Sequence, residues 1–246
     1  VAGTFYPAEP AALRAALRRS FADAVAEPVV VDAPKALVVP HAGYVYSGPV
    51  AASAYQRIAP VGHRIHRVVL LGPSHRVAFR GMALSTADEF ATPLGPVPLD
   101  RAAVDSCAGL PGVVVSDAPH ALEHSLEVHL PFLQSVLPAF ALVPVVVGDA
   151  SAEEVAGLLE HLWGGPETLV VVSTDLSHYL TYDEAVRVDA RTAAAIVARR
   201  PEDVRIVMGI NVVTDRSAAA AQDKLAEYRA HSSPEAGLVH FSASTG

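Results

Sequence analysis

Short apolar runs alternate with helix-periodic stretches along this chain, and three of the runs end within a few residues on a histidine. They are Ala36 to His41, Val68 to His75 and Leu169 to His178. Val- and Leu-rich runs bounded by Gly, Pro and Ser read as strands buried on both faces, as in a parallel sheet. Met82 to Ser85 and Leu142 to Val147 read as two further strands. Helical spacing predicts a helix over Ala11 to Ala26, introduced by Pro10, and another capped by Ser47, entered at Pro49 and running to about Arg57. Asp100 to Ala108 reads as a third. Ser116 or Asp117 can cap, and Pro119 can open, a helix carrying His120 to His129, which Pro131 should kink or end. Ser151 with Glu154 forms a capping box for a helix to about Trp163, and a last clear helix spans Asp183 to Arg199. An Ala-rich helix over Ser217 to Tyr228 and a strand over Leu238 to Phe241 complete the reading.

Strands alternate with helices and no composition break divides the chain. The expectation is a single α/β domain over 1–246, with a mainly parallel central sheet and helices on both faces. In open α/β sheets ligands bind outside the carboxyl ends of the strands. His41, His75 and His178 should therefore meet on one rim. A single histidine after a strand is usually a cap or loop residue, but three in the same context point to a metal or acid/base centre. Asp175, three residues before His178, is placed to orient it.

The stretch from His120 to Glu127 adds a second pattern. On a helix, His120, Glu123, His124 and Glu127 share one face, and the order His-x-x-Glu-His is the inverted zincin arrangement of a zinc metalloprotease. A polar stripe lining a rim is the other reading of the same spacing. No Gly-rich phosphate loop and no Gly-x-Ser-x-Gly elbow is present, so nucleotide binding and serine hydrolysis have no support.

The 246 residues are 51% hydrophobic and 18% charged, which suits a compact globular protein with a substantial core. A net charge of -8 argues against nucleic acid as the main partner, and the basic cluster from Arg14 to Arg19 reads as a solvated helix face. Cys107 is the sole cysteine, which excludes an internal disulfide and Cys-rich zinc sites and suits a cytoplasmic location. No apolar stretch reaches the roughly 20 residues of a membrane span, and Val1 to Pro7 has no signal-peptide character. The chain does not start with Met, so leading residues are expected to be missing.

Taken together, Val1 to Pro7, Pro40 to Gly48, Gly72 to His75, Glu123 to Glu127 with Leu130-Pro131-Phe132, and Ser173 to Tyr179 closely resemble the Memo family, whose prokaryotic members are called AmmeMemoRadiSam system protein B. The match is ordered and continuous from the amino terminus to about Thr192. It implies a fold similar to the class III extradiol, non-haem iron dioxygenases, with His41, His75, Asp175 and His178 as site residues. It also implies association with Fe(II) or copper, a redox or phosphotyrosine-peptide-binding role, and partnership with a radical S-adenosylmethionine protein and an Ammecr-type domain protein. Beyond Thr192 the sequence, and 201–246 in particular, is atypical: where the family has a Cys-Gly pair, this chain has Met208-Gly209, and a thioether suits monovalent copper better than divalent iron. Val239-His240-Phe241 aligns with the family's final strand.

Two functions are expected on this basis. In the first, a metal-dependent redox or dioxygenase-type protein acts on a small substrate, with His41 and His75 as ligands and His178 as acid/base oriented by Asp175. His124, Glu127 and Tyr44 would contact the substrate. In the second, the pocket holds a phosphotyrosine or carboxylate peptide without a metal. The resemblance weakens the metalloprotease reading, because the family pattern does not need a histidine at position 120.

Overall fold

In the computed structural model residues 1–25 and 34–198 are described. All of them fall within one compact unit. Met208, the helix expected over Ser217 to Tyr228 and the strand expected over Leu238 to Phe241 lie outside the described residues.

The sequence forms strands where its apolar runs fall: β1 (Ala36–Val39), β2 (Arg67–Pro73), β3 (Met82–Leu84), β4 (Glu89–Thr92), β5 (Gly95–Pro98), β6 (Val113–Val115), β7 (Ala141–Val147) and β8 (Thr168–Ser173). Six of them make one sheet in the order β1-β8-β2-β7-β3-β6. All its pairings are parallel except β3 against β7, where Met82 faces Val147. Strands β4 and β5 form a separate antiparallel hairpin, absent from the sequence reading because two prolines interrupt its pattern.

Helices flank this sheet: α1 (Pro10–Ala22), α2 (Tyr44–Tyr55), α3 (Arg101–Ser106), α4 (Leu130–Val136), α5 (Ala152–Leu162) and α6 (Tyr182–Val197). Alternation along β2 sends Val69 and Leu71 into a cluster with Val143, Val145, Leu158 of α5 and Val104 of α3. Val68 and Leu70 point to the opposite face and are fully buried. The expected capping box closes on α5 between Ser151 and Glu154, and Glu9, which the sequence reading did not single out, caps α1 by accepting from Ala12 N–H.

Two helix starts differ from expectation. Helix α2 begins at Tyr44, with Gly43 as its N-cap, so Pro49 lies inside it. Ser47 does not cap: its hydroxyl donates to Ala42 O, and the Tyr44 N–H is taken by Phe5 O. The helix expected over His120 to His129 does not form; turns occupy 118–122, and a 3-10 turn spans Glu127–His129 before α4. Glu123 explains the break, because its carboxylate accepts from the N–H groups of His124 and Ser125, which competes with the helical ladder. Pro131, second in α4, opens that helix where it was expected to end one.

Gly72 lets β2 lie against the turn at Ser125. A Cβ there would sit 2.7 Å from Ser125 Oγ and 2.8 Å from Leu126 Cδ2. Gly72→Ala is expected to cost about 1–3 kcal/mol by overpacking. Thermal unfolding of the variant checks it, and an unchanged midpoint would show that the turn moves freely.

Candidate metal centre

Because β1, β8 and β2 are parallel neighbours, the residues that follow their carboxyl ends are delivered to one rim. His41 follows β1, His75 follows β2, and Asp175 and His178 follow β8. The ring centroid of His41 lies 5.1 Å from that of His75 and 6.5 Å from that of His178. A fourth imidazole joins them. His124 stacks on His75 with 4.4 Å between ring centroids and has its other face covered by Phe5 at 4.2 Å.

Among the described residues two trios bring potential ligand atoms within 4.8 Å of one another. These are His41, His75 and His124, and His41, Asp175 and His178. His41 belongs to both. It is 1% exposed, and its Nε2 is buried without a hydrogen-bond partner. Burial, and then the neighbouring His75, hold its pKa well below the ordinary histidine value. Burial and His75 likewise push His124 down to about 3, so both rings are neutral at pH 7.

Two of these rings, His75 and His41, are held from behind. Glu123 accepts from His75 N–H at 2.6 Å and from its Nδ1 at 2.8 Å, which turns Nε2 of His75 away from the carboxylate. Burial alone would raise the Glu123 pKa, but the bonds and charge from His75 outweigh it and lower the value to about 2. His41 Nδ1 lies 2.6 Å from Ser173 Oγ at the tip of β8. Its backbone N–H, with that of Ala42, donates to Asp175 Oδ1 at 2.5 and 3.1 Å. The second oxygen of Asp175 stands 3.7 Å from His41 Nε2 and 4.0 Å from His178 Nε2. Burial raises the pKa of Asp175 against these donors.

The loop carrying His178 is wound by two left-handed residues, Leu176 (φ 62°) and Tyr179 (φ 59°). Asp189 of α6 accepts from the N–H and hydroxyl of Ser177, both at 3.0 Å, and so ties that loop down. Sequence reasoning gave no role to Asp189, Ser173 or His129. A serine ending a strand beside a His-tipped neighbour was the available signal for Ser173.

The remaining expected site residues sit differently. Tyr44 is buried, with its ring 4.7 Å from Phe132, and donates its hydroxyl to Val128 O at 2.8 Å. Glu127 accepts from the Tyr6 hydroxyl at 2.5 Å. His120 does not share a face with His124: its Nε2 donates to Ala83 O at 3.1 Å, and its ring packs against Phe90 in a cavity of about 290 Å³ that Glu123 and Glu127 also line. The inverted zincin pattern thus has no helix and no ligand pair beneath it.

Among the described residues no helix is long and apolar enough to cross a membrane. The family model described as Memo-like protein matches residues 1–244. A MEMO1 family protein of Ignicoccus hospitalis is 36% identical over 224 residues, which is 85% of this chain and 78% of that protein. Those of Thermotoga petrophila and Methanopyrus kandleri are 35% and 37% identical, over 88% and 80% of this chain and 82% and 74% of theirs. By the extent of both matches, this chain belongs to the Memo-like protein family.

Proposed function

We propose that this protein is a metal-dependent redox protein, in which His41, His75 and His124 hold Fe(II) or copper and Asp175 with His178 serves a bound small substrate. The observation that carries the reading is the buried, unpartnered Nε2 of a neutral His41 within 4.8 Å of ligand atoms of two other imidazoles. An orphaned ring nitrogen in a dry interior is costly unless something binds it. Three imidazoles backed by a carboxylate and a hydroxyl fit iron or copper, and His75 with Glu123 repeats the carboxylate–histidine pairing common at metal sites. Such a metal, when bound, supplies Lewis acidity and one-electron chemistry. Asp175 and His178, on the flank of the site, are placed to hold and move a proton at their Oδ2 and Nε2 atoms.

The peptide-binding alternative draws no support from the charges. A phosphate or carboxylate is best held by charged donors, yet His41 and His124 are neutral. The helix expected to be capped by Ser47 starts at Tyr44, whose N–H is already taken and so is not offered to an anion.

Metal analysis after anaerobic exposure to Fe(II), and separately to Cu(I), tests the proposal. One bound metal per chain is expected, with affinity lowered in His41→Ala by more than the about 10–100-fold that a lost outer partner costs. No uptake by the wild type, or equal uptake by the variant, would overturn it.

A further inference from the structure

Behind the centre runs a buried line of polar groups with no part in binding. Tyr55 of α2, His129 and Ser173 are each no more than 1% exposed. The Tyr55 hydroxyl lies 2.9 Å from His129 Nδ1, His129 Nε2 lies 2.9 Å from Ser173 Oγ, and Ser173 Oγ lies 2.6 Å from both Ser125 O and His41 Nδ1. We propose that this line is a positioning device: Ser173, claimed by the Ser125 carbonyl, holds His41 in the one tautomer whose Nε2 presents a lone pair to the centre.

The argument is a count of hydrogens. A carbonyl only accepts, and two oxygens 2.6 Å apart must have a hydrogen between them, so the single Ser173 hydrogen points at Ser125 O. Ser173 can then only accept from its two histidines. His41 must donate through Nδ1–H, which strips the hydrogen from its Nε2. His129 must donate through Nε2–H, so its Nδ1 is an acceptor, and the Tyr55 hydroxyl meets it as donor. Every group in the line has its partner in this assignment and in no other. The opposite tautomer of His41 would put two acceptors, its own Nδ1 and the Ser125 carbonyl, around one hydroxyl hydrogen. It would also turn an N–H toward the centre and close it to a cation.

That the lone pair serves a metal rests on the function proposed above; the tautomer does not. Nitrogen-15 NMR of the histidine rings in the metal-free full chain reads the tautomers directly. His41 is expected as the pure Nδ1–H form, and Ser173→Ala is expected to give a mixture and to weaken Fe(II) or Cu(I) binding about 10-fold or more. Tyr55→Phe, which leaves the centre untouched, is expected to leave His129 as Nε2–H and His41 as Nδ1–H, because Ser173 alone fixes both rings. A wild-type His41 in the Nε2–H form overturns the proposal, as does a folded Ser173→Ala protein with an unchanged His41 ring and unchanged affinity. If His41 is Nδ1–H but no metal is taken up, the positioning role is supported and the metal function fails.

Discussion

Metal-free protein is expected to lose roughly 4 kcal/mol of stability for each pH unit between about pH 5.5 and 4. The cause is three buried neutral imidazoles. Burial first, and neighbouring histidines second, hold His41 well below its ordinary value and push His124 and His129 down to about 3. In the unfolded chain the same rings take up protons near pH 6.5. A depressed folded value means that the unfolded state binds more protons throughout the window between the two. Stability is therefore full above about pH 6.5 and falls with acid toward the folded values. Three protons at about 1.4 kcal/mol per pH unit give the stated slope, and a domain of about 5–15 kcal/mol total stability does not survive long on it. Asp175, raised by burial, offsets part of one proton, while Glu123, lowered to about 2, adds a further loss below the ordinary carboxylate range. Urea unfolding at a series of pH values measures the slope. Constant stability from pH 6.5 to 4.5 would show that these rings are already solvated.

Of the strands that carry the site, β2 and β8 were legible because they are buried on both faces, and β1, an edge strand with Val38 exposed, because its residues are all apolar. β1, β2, β7 and β8 read as apolar runs, and Pro40, Ser74 and Gly148 after the first three and Ser173 at the end of the last mark where the chain leaves the sheet. What misled was local polarity read as helix periodicity. The spacing of His120, Glu123, His124 and Glu127 fits a helix face, but Glu123 spends its carboxylate on nearby backbone N–H groups and on His75, a residue 48 positions away. No local rule contains that partner. The same holds for Pro49, which marks a helix entry in sequence, yet α2 starts five residues earlier because Tyr44 is drawn under Phe5 O and Phe132.

The site divides along the same line. His41, His75, Asp175 and His178 were found because strand order alone puts strand tips on one rim. The entry of His124 into the ligand trio depends on the broken helix, since only a turn at 125–126 lets its ring stack on His75. The backing groups Ser173 and His129 were invisible for a different reason. Their role is set by who donates to whom, and that follows from distances across three separate segments.

The largest single loss of stability is expected at Glu123. Its carboxylate, 1% exposed, accepts from the N–H groups of His75, His124 and Ser125 and from His75 Nδ1, all within 2.9 Å. Glu123→Ala strands four donors in a dry site and opens a cavity, and breaking a buried, charge-assisted network of this kind costs about 3–5 kcal/mol. For a domain of this size that is roughly 10 °C or more in thermal midpoint. Glu123→Gln separates charge from shape, since its amide fills the same space but has one oxygen where two are used. Either the one donor on Oε2 or the three on Oε1 then face an NH2 group, and His75 loses the carboxylate that fixes its ring. The expected result is a smaller loss of stability than in the alanine variant, together with about 10–100-fold weaker metal binding. Calorimetry and metal titration of the two variants check this. If Glu123→Gln binds metal as tightly as the wild type, the carboxylate serves the fold alone and His75 is oriented by packing against His124.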